Sequence, residues 1–250
     1  MKGLKNNKLY GLIGKNIDYS FSKEFFTNKF KKEKLDCTYI NFDIKEIEDL
    51  KKIINGNDIS GLNVTIPYKE KIINYLDFIS PIAKEIGAVN TISFNHGVLS
   101  GYNTDYLGFY NSIKKEISQN TKALILGTGG ASKAIAYALK LLNVEYLFVS
   151  RLTNNKNNIL YNELDKNIID KYNLIINCSP VGTYPKITEI PKIPISLITN
   201  KHIVYDLIYN PVKSELLKQS EEKGAKVING YQMLKNQAKE SWKIWNTEIK

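Results

Sequence analysis

The chain has 250 residues, 43% hydrophobic and 24% charged. That is enough to bury roughly 70–75% of the surface its unfolded form would expose, and it excludes disorder, collagen and a coiled coil. No run approaches the ~18 apolar residues of a membrane span, Met1–Lys8 is too polar for a signal peptide, and two cysteines, Cys37 and Cys178, are too few for a disulfide framework. These readings predict a soluble, reduced, cytoplasmic protein of one large domain or two modest ones. The net charge of +10 comes from 35 basic and 25 acidic residues, with Arg151 the single arginine. A lysine surcharge fits nucleic-acid readout poorly, because that relies on the arginine fork. It leaves compositional drift, or attraction of an anionic substrate or cofactor, as its meaning.

Short apolar runs alternate with helical patterns, which predicts parallel α/β architecture. Strands are predicted over Lys8–Gly14, Cys37–Phe42 and Gly61–Ile66, each followed by a helical pattern: Ser22–Glu33, Ile44–Asn55 and a region from Tyr68 onward. Asn90–Phe94 and Val98–Tyr102 flank Asn95-His96-Gly97, a hairpin signal. Tyr106–Ile117 reads as a helix. The pattern then restarts with strands at Ala123–Leu126, Tyr146–Ser150, Leu174–Asn177 and Ile203–Asp206 and a helix at Ser132–Leu142. Two α/β units thus meet near residue 105. Gln232–Asn246 is amphipathic, with Leu234, Ala238, Trp242 and Trp245 near one face, and can pack back on either unit.

Gly127-Thr128-Gly129-Gly130-Ala131-Ser132 stands between a strand and a helix, the context of a dinucleotide turn. Glycines permit the tight turn and let backbone N–H groups approach a pyrophosphate at a helix N-terminus. Ser132 occupies the third position of the pattern, where Gly or Ala is usual. The end of the next strand chooses the cofactor. An NAD site has Asp or Glu there, whereas this chain reads Phe148-Val149-Ser150-Arg151. A hydroxyl and a guanidinium suit a 2′-phosphate through charge-assisted hydrogen bonds, so NADP(H) is predicted.

Four polar clusters stand at strand ends of the first unit: Ser20-Phe21-Ser22, Asn63-Val64-Thr65-Ile66-Pro67-Tyr68-Lys69, Asn90-Thr91 and Asn103-Thr104-Asp105. Ligands of open α/β sheets bind beyond the carboxyl ends of the strands. Hydroxyls, amides, one lysine and one aspartate gathered there fit a small, heavily hydroxylated acid. Taken singly, Ser20, Ser22 and Asp105 read equally well as helix caps, and Pro67 as a helix starter.

Together these residues resemble the shikimate dehydrogenase family. The Ser-x-Ser pair, Asn-Val-Thr-x-Pro-x-Lys, Ala-Val-Asn-Thr, Asn-Thr-Asp-x-x-Gly, Gly-x-Gly-Gly-Ala-Ser and Asp-Leu-x-Tyr-Asn-Pro follow in the family's order from Ser20 to Gln237. The resemblance implies an N-terminal substrate domain (1–105 plus 231–250) and a Rossmann-like NADP-binding domain (106–230) with a cleft between them. It implies that Lys69 and Asp105 are the catalytic pair. It also implies that Ser20, Ser22, Asn63, Thr65, Asn90, Tyr209 and Gln237 contact substrate. The turn residues Gly127, Thr128, Gly129, Gly130 and Ala131, with Ser150 and Arg151, would hold the cofactor, and Leu207 and Gly230 would lie near its nicotinamide. Tyr19 and Lys23 replace the family's frequent His and Pro around the serine pair, and Thr183 replaces a frequent Met. Lys156 is a candidate for a second basic residue after the arginine.

Ketone reduction needs a hydride on carbon and a proton on the developing alkoxide. A lysine ammonium can donate that proton, and a neighbouring carboxylate orients it. The expected activity is NADP-dependent, reversible reduction of 3-dehydroshikimate to shikimate in aromatic amino-acid biosynthesis, with a small-molecule partner, no nucleic acid, no membrane, and a monomer or homodimer. His96, His202 and Cys37 have no partners at metal-ligand spacing, so no metal is expected. The nearest rival is a quinate/shikimate dehydrogenase with looser cofactor choice. A basic polyanion-binding module is the rival from another class.

Overall fold

The computed structural model describes residues 7–17, 20–152 and 157–247, so Tyr19 and Lys156 lie outside the described residues. Backbone contacts divide the chain into two units, Met1–Thr104 with Gln237–Lys250, and Asp105–Asn236. The first division falls between Thr104 and Asp105, and the second falls inside the last helix.

The first unit contains β1 (Lys8–Gly14), α1 (Phe21–Glu33), β2 (Cys37–Asp43), α2 (Leu50–Gly56), β3 (Ile59–Val64), β4 (Phe78–Ile79), α3 (Pro81–Ile86), β5 (Thr91–Asn95) and β6 (Val98–Tyr102). They form a sheet in the order β2-β1-β3-β5-β6-β4. β1 pairs in parallel with β2 and β3, whereas β5 runs antiparallel to β3 and β6. The sheet is therefore mixed, where alternation of runs predicted a parallel one. The hairpin accounts for the β5/β6 pair: His96 and Gly97 both have positive φ, at 49° and 83°, which turns the chain back within two residues. The helix expected from Tyr68 onward is a single 3₁₀ stretch, Lys71–Tyr75, and the one expected from Ile44 starts as a 3₁₀ turn at Ile47. Pro67 sits in a turn closed by Tyr68 N–H donating to the Thr65 carbonyl (2.9 Å), not at a helix start.

The second unit contains α4 (Asp105–Ile113), β7 (Lys122–Leu126), α5 (Gly130–Leu141), β8 (Glu145–Ser150), β9 (Asn158–Leu160), α6 (Lys166–Lys171), β10 (Leu174–Asn177), β11 (Ile203–Asp206), α7 (Glu215–Glu222) and β12 (Lys226–Asn229), and α8 (Tyr231–Asn246) follows. The strand order is β12-β11-β10-β7-β8-β9, parallel throughout. This is the doubly wound order with its switch point between β7 and β10. The strands facing both layers are continuously apolar: Ala123–Leu126 and Leu174–Ile176 are fully buried.

α8 anchors the end of the chain. The Trp245 indole N–H donates to the Ile92 carbonyl at 2.9 Å, and its ring lies 4.9 Å from Tyr10 and 5.1 Å from Phe26. Both tryptophans pack against the cluster of Tyr10, Phe26, Phe30, Tyr39 and Ala238. No helix among the described residues is long and apolar enough to cross a membrane.

Candidate active site

In the first unit the polar clusters meet at the carboxyl end of the sheet. Asn63, at the end of β3, is buried. Its carbonyl accepts from the Tyr39 hydroxyl (2.8 Å), and its amide donates to Ser241 Oγ (2.9 Å) and Thr91 Oγ1 (3.3 Å). The amide of buried Asn90 donates to Thr104 Oγ1 (2.9 Å) and Gln237 Oε1 (3.3 Å), while its carbonyl accepts from the Thr104 backbone N–H (2.7 Å). Thr91 and Ser241 hydroxyls lie 2.8 Å apart. The result is one buried network of amides and hydroxyls drawn from β2, β3, β5, the 103–104 segment and α8. Such a network is stable when its members are satisfied, and it then fixes side-chain direction.

Four further sequence candidates lie in the same unit. Ser20 caps α1, its hydroxyl accepting from Lys23 N–H at 3.3 Å, so the cap reading of Ser20 describes at least part of its work. Ser22 is buried in the first turn. Thr65 is half-buried just past β3, and Lys69 is half-buried in the next turn, where its carbonyl accepts from Val89 N–H at 2.8 Å. Sequence reasoning missed Ser241 and Tyr39 as members of the network. The signal was present for Ser241, which stands one helical turn after Gln237 and so shares its face.

In the second unit Asp105 opens α4 and is buried. The Gly-rich turn links β7 to α5 at the switch point. Gly127 has φ +106°, and a side chain there would stand 3.5 Å from Ser179 N, so the turn abuts the loop after β10. Gly129 caps α5, and Ser132 in the first turn is 1% exposed with no hydrogen-bond partner for its hydroxyl. Buried hydroxyls are nearly always paired. A partnerless one beside open N–H groups at a helix N-terminus fits a phosphate ligand. Thr128 is exposed and Ala131 half-buried in this turn.

At the end of β8, Ser150 and Arg151 line a cleft of about 430 Å³. The Ser150 hydroxyl is engaged with Asn158, whose amide donates to it at 2.9 Å, and with the Leu152 carbonyl. The exposed guanidinium of Arg151 is therefore the freer group of the two. Tyr161 borders the same cleft. Burial pushes its hydroxyl up to about 12, with Arg151 pulling the other way, so it stays a neutral phenol.

Asp206, at the end of β11, is fully buried. It accepts from Asn177 Nδ2 (3.0 Å), Ile208 N–H (3.0 Å) and Ser214 Oγ (2.5 Å). Asn177 in turn accepts from Ser179 N–H (3.0 Å) and Oγ (2.7 Å). A buried aspartate thus shapes the loop against which Gly127 lies. Burial raises its carboxyl to about 6, opposed by these donors. Leu207 N–H donates to the Asn177 carbonyl at 3.0 Å, and Tyr209 follows half-buried. A side chain at Gly230 would meet the Leu207 carbonyl oxygen at 2.1 Å. Only glycine lets the two strand ends approach this closely.

Comparison with known proteins decides the family. Residues 12–92 match the family described as "Shikimate dehydrogenase substrate binding domain". The chain is 44% identical over 246 residues to a protein of Clostridium botulinum named "Shikimate dehydrogenase (NADP(+))", covering 94% of this chain and 95% of that one. The chain belongs to the shikimate dehydrogenase family. A Methanosphaera stadtmanae protein of the same name is 42% identical over 94% of this chain and 90% of its own length. A crystal structure of a shikimate dehydrogenase in complex with NADP+ superposes with a TM-score of 0.85 at 34% identity, covering 96% of this chain and 90% of that one. The two α/β units are those of this family. Among the described residues no cluster of three or more His, Cys, Asp or Glu side chains could hold a metal ion. His202 has both ring nitrogens engaged, with Thr199 and the Ile169 carbonyl.

Proposed function

We propose that this chain is an NADP-dependent dehydrogenase that reduces 3-dehydroshikimate to shikimate, reversibly. The observation that carries the reading is a single arginine, Arg151, lining a cleft at the carboxyl end of β8, in a chain 44% identical to a protein named for that activity and cofactor.

The N–H groups of the Gly127–Ala131 turn and the Ser132 hydroxyl would hold the pyrophosphate, and Arg151 the 2′-phosphate. Leu207 and Gly230 would border the nicotinamide. NADPH, when bound, supplies the hydride. The chain's own residues supply the proton and the orientation. Lys69 carries three N–H donors on a mobile stem. As an ammonium it gives a proton to the oxygen on which negative charge develops, and in the reverse direction the amine removes it. Asp105 is a carboxylate held rigidly at the first residue of α4, suited to orient that ammonium and share its proton. Ser20, Ser22, Thr65, Asn90, Tyr209 and Gln237 offer hydroxyls and amides to the substrate's hydroxyl and carboxylate groups. Asn63 joins them as a further amide, which also holds Tyr39, Thr91 and Ser241 in place. We read the enzyme as cytoplasmic, acting on a small molecule as a monomer or homodimer.

Steady-state kinetics with shikimate and quinate, each with NADP+ and NAD+, test this. The shikimate–NADP+ pair should have the largest kcat/KM. No turnover of shikimate with either cofactor would remove the proposal. Equal turnover of quinate would replace it with a quinate/shikimate dehydrogenase of looser choice. Strong salt-sensitive binding to DNA or RNA without turnover would favour a polyanion-binding module.

A further inference from the structure

β8 and β9 are parallel neighbours joined only by the seven residues 151–157. A parallel crossover commonly takes a dozen or more residues, usually with a helix. A cleft at the end of β8 is lined, among the described residues, by Ser150 and Arg151 from β8 and its end, Leu160 of β9, Tyr161 and Asn162 after it, and Lys192 from the segment before β11: two cations and no carboxylate.

Lys192 stands on a fixed backbone. Its neighbours Pro191 and Ile193 are buried, and Ile193 N–H donates to the Pro191 carbonyl at 2.7 Å, so Lys192 alone of the three faces outward. Its charge is uncompensated. Other lysines of this unit pair with carboxylates: Lys122 and Lys171 with Glu145, Lys186 with Glu189, Lys166 with Asp170. Among the described residues neither Arg151 nor Lys192 has such a partner. Two unpaired cations from separate segments around one cleft favour a dianionic ligand group over a neutral one.

We propose that Lys192 is a second reader of the cofactor's 2′-phosphate, sharing with Arg151 the choice of NADPH over NADH. This rests on the NADP reading above. Arg151 supplies the planar, bidentate contact, and Lys192 supplies a point charge from a separate segment of the lining. Specificity is then divided between the end of β8 and the segment that precedes β11.

The test is equilibrium binding of NADPH, NADH and 2′,5′-ADP to the full chain and to Lys192→Ala, Arg151→Ala and the double variant, by fluorescence titration at two salt concentrations. Lys192→Ala should weaken NADPH and 2′,5′-ADP about fivefold to twentyfold, from the strength of one charge-assisted bond at an exposed site. It should leave NADH within about twofold and lower the salt dependence. Lys192→Arg should retain most of the affinity. Lys192 is exposed, so a melting curve matching wild type should accompany the result. Unchanged NADPH binding in Lys192→Ala, or equal weakening of NADPH and NADH, overturns the role of Lys192. If Arg151→Ala still abolishes the preference in that case, the NADP reading stands without Lys192. If wild type binds NADH as tightly as NADPH, both readings fall together.

Discussion

The side-chain carbonyl of Asn90 accepts a hydrogen bond from the backbone N–H of Thr104 at 2.7 Å. Thr104 is the residue before Asp105, the start of α4. Two positions earlier the Ala88 carbonyl accepts from Asn103 Nδ2 (2.9 Å), and Val89 N–H donates to the Lys69 carbonyl (2.8 Å). Residues 88–90 are therefore a bracket that fixes the backbone of Lys69 on one side and the start of α4 on the other. Asn90→Ala leaves the buried Thr104 N–H unpaired, at a cost of about 1–3 kcal/mol. Denaturant unfolding should show that loss, and turnover should fall with it. Unchanged stability would mean that the bracket is not needed.

Lys69→Ala should lower turnover at least ~10²-fold, the scale of a positioned proton-transfer group. The backbone bond to Val89 survives, so the fold should be kept and KM for shikimate should change less. Wild-type turnover in this variant would exclude Lys69 from the chemistry.

Asp105→Asn preserves shape and removes charge. The expected result is a large fall in kcat with an unchanged melting temperature. A variant that melts early instead identifies Asp105 as the helix cap of α4. Normal kinetics would reject the orienting role.

Asp206 gives a pH signature in stability. Burial raises its folded value from the ordinary 3.8 to about 6, so the folded state holds its proton more tightly than the unfolded chain. Stability from this group is then greatest below about pH 4 and is lost as pH rises through about 6, by about 3 kcal/mol for two pK units. Asp206→Asn cannot ionise. The stability difference between wild type and this variant should therefore shift against wild type by that amount between pH 4 and 7. A pH-independent difference in urea unfolding would refute the assignment.

Trp245→Ala should destabilise the first unit by about 3 kcal/mol, because the indole fills space among Tyr10, Phe26 and Tyr39 and bonds the Ile92 carbonyl. Equilibrium unfolding reads this directly, and a loss below about 1 kcal/mol would show that α8 is only loosely packed.

The sequence alone determined the elements whose signals are local. Lys8–Gly14, Val98–Tyr102, Leu174–Asn177 and Ile203–Asp206 are strands with the boundaries that their apolar runs predict. The His96-Gly97 hairpin and the strand–glycine–helix unit at residue 127 follow from backbone freedom at single residues. The order of polar motifs also carried the family. Tertiary structure decided the rest. β4 and β9 are too short to show a period, β12 has only Val227 and Ile228 as apolar residues, and each pairs along the edge of a neighbouring strand. The antiparallel pairing of β5 with β3 is decided by the path between them, not by the composition of the strand. Tyr39 has no distinguishing local pattern, since its bond to Asn63, 24 positions away, is created by folding, as is the bond of Asn63 to Ser241, 178 positions away. The cleft at Arg151 is of the same kind: Lys192 lies far along the chain from Arg151, and folding brings both to one space.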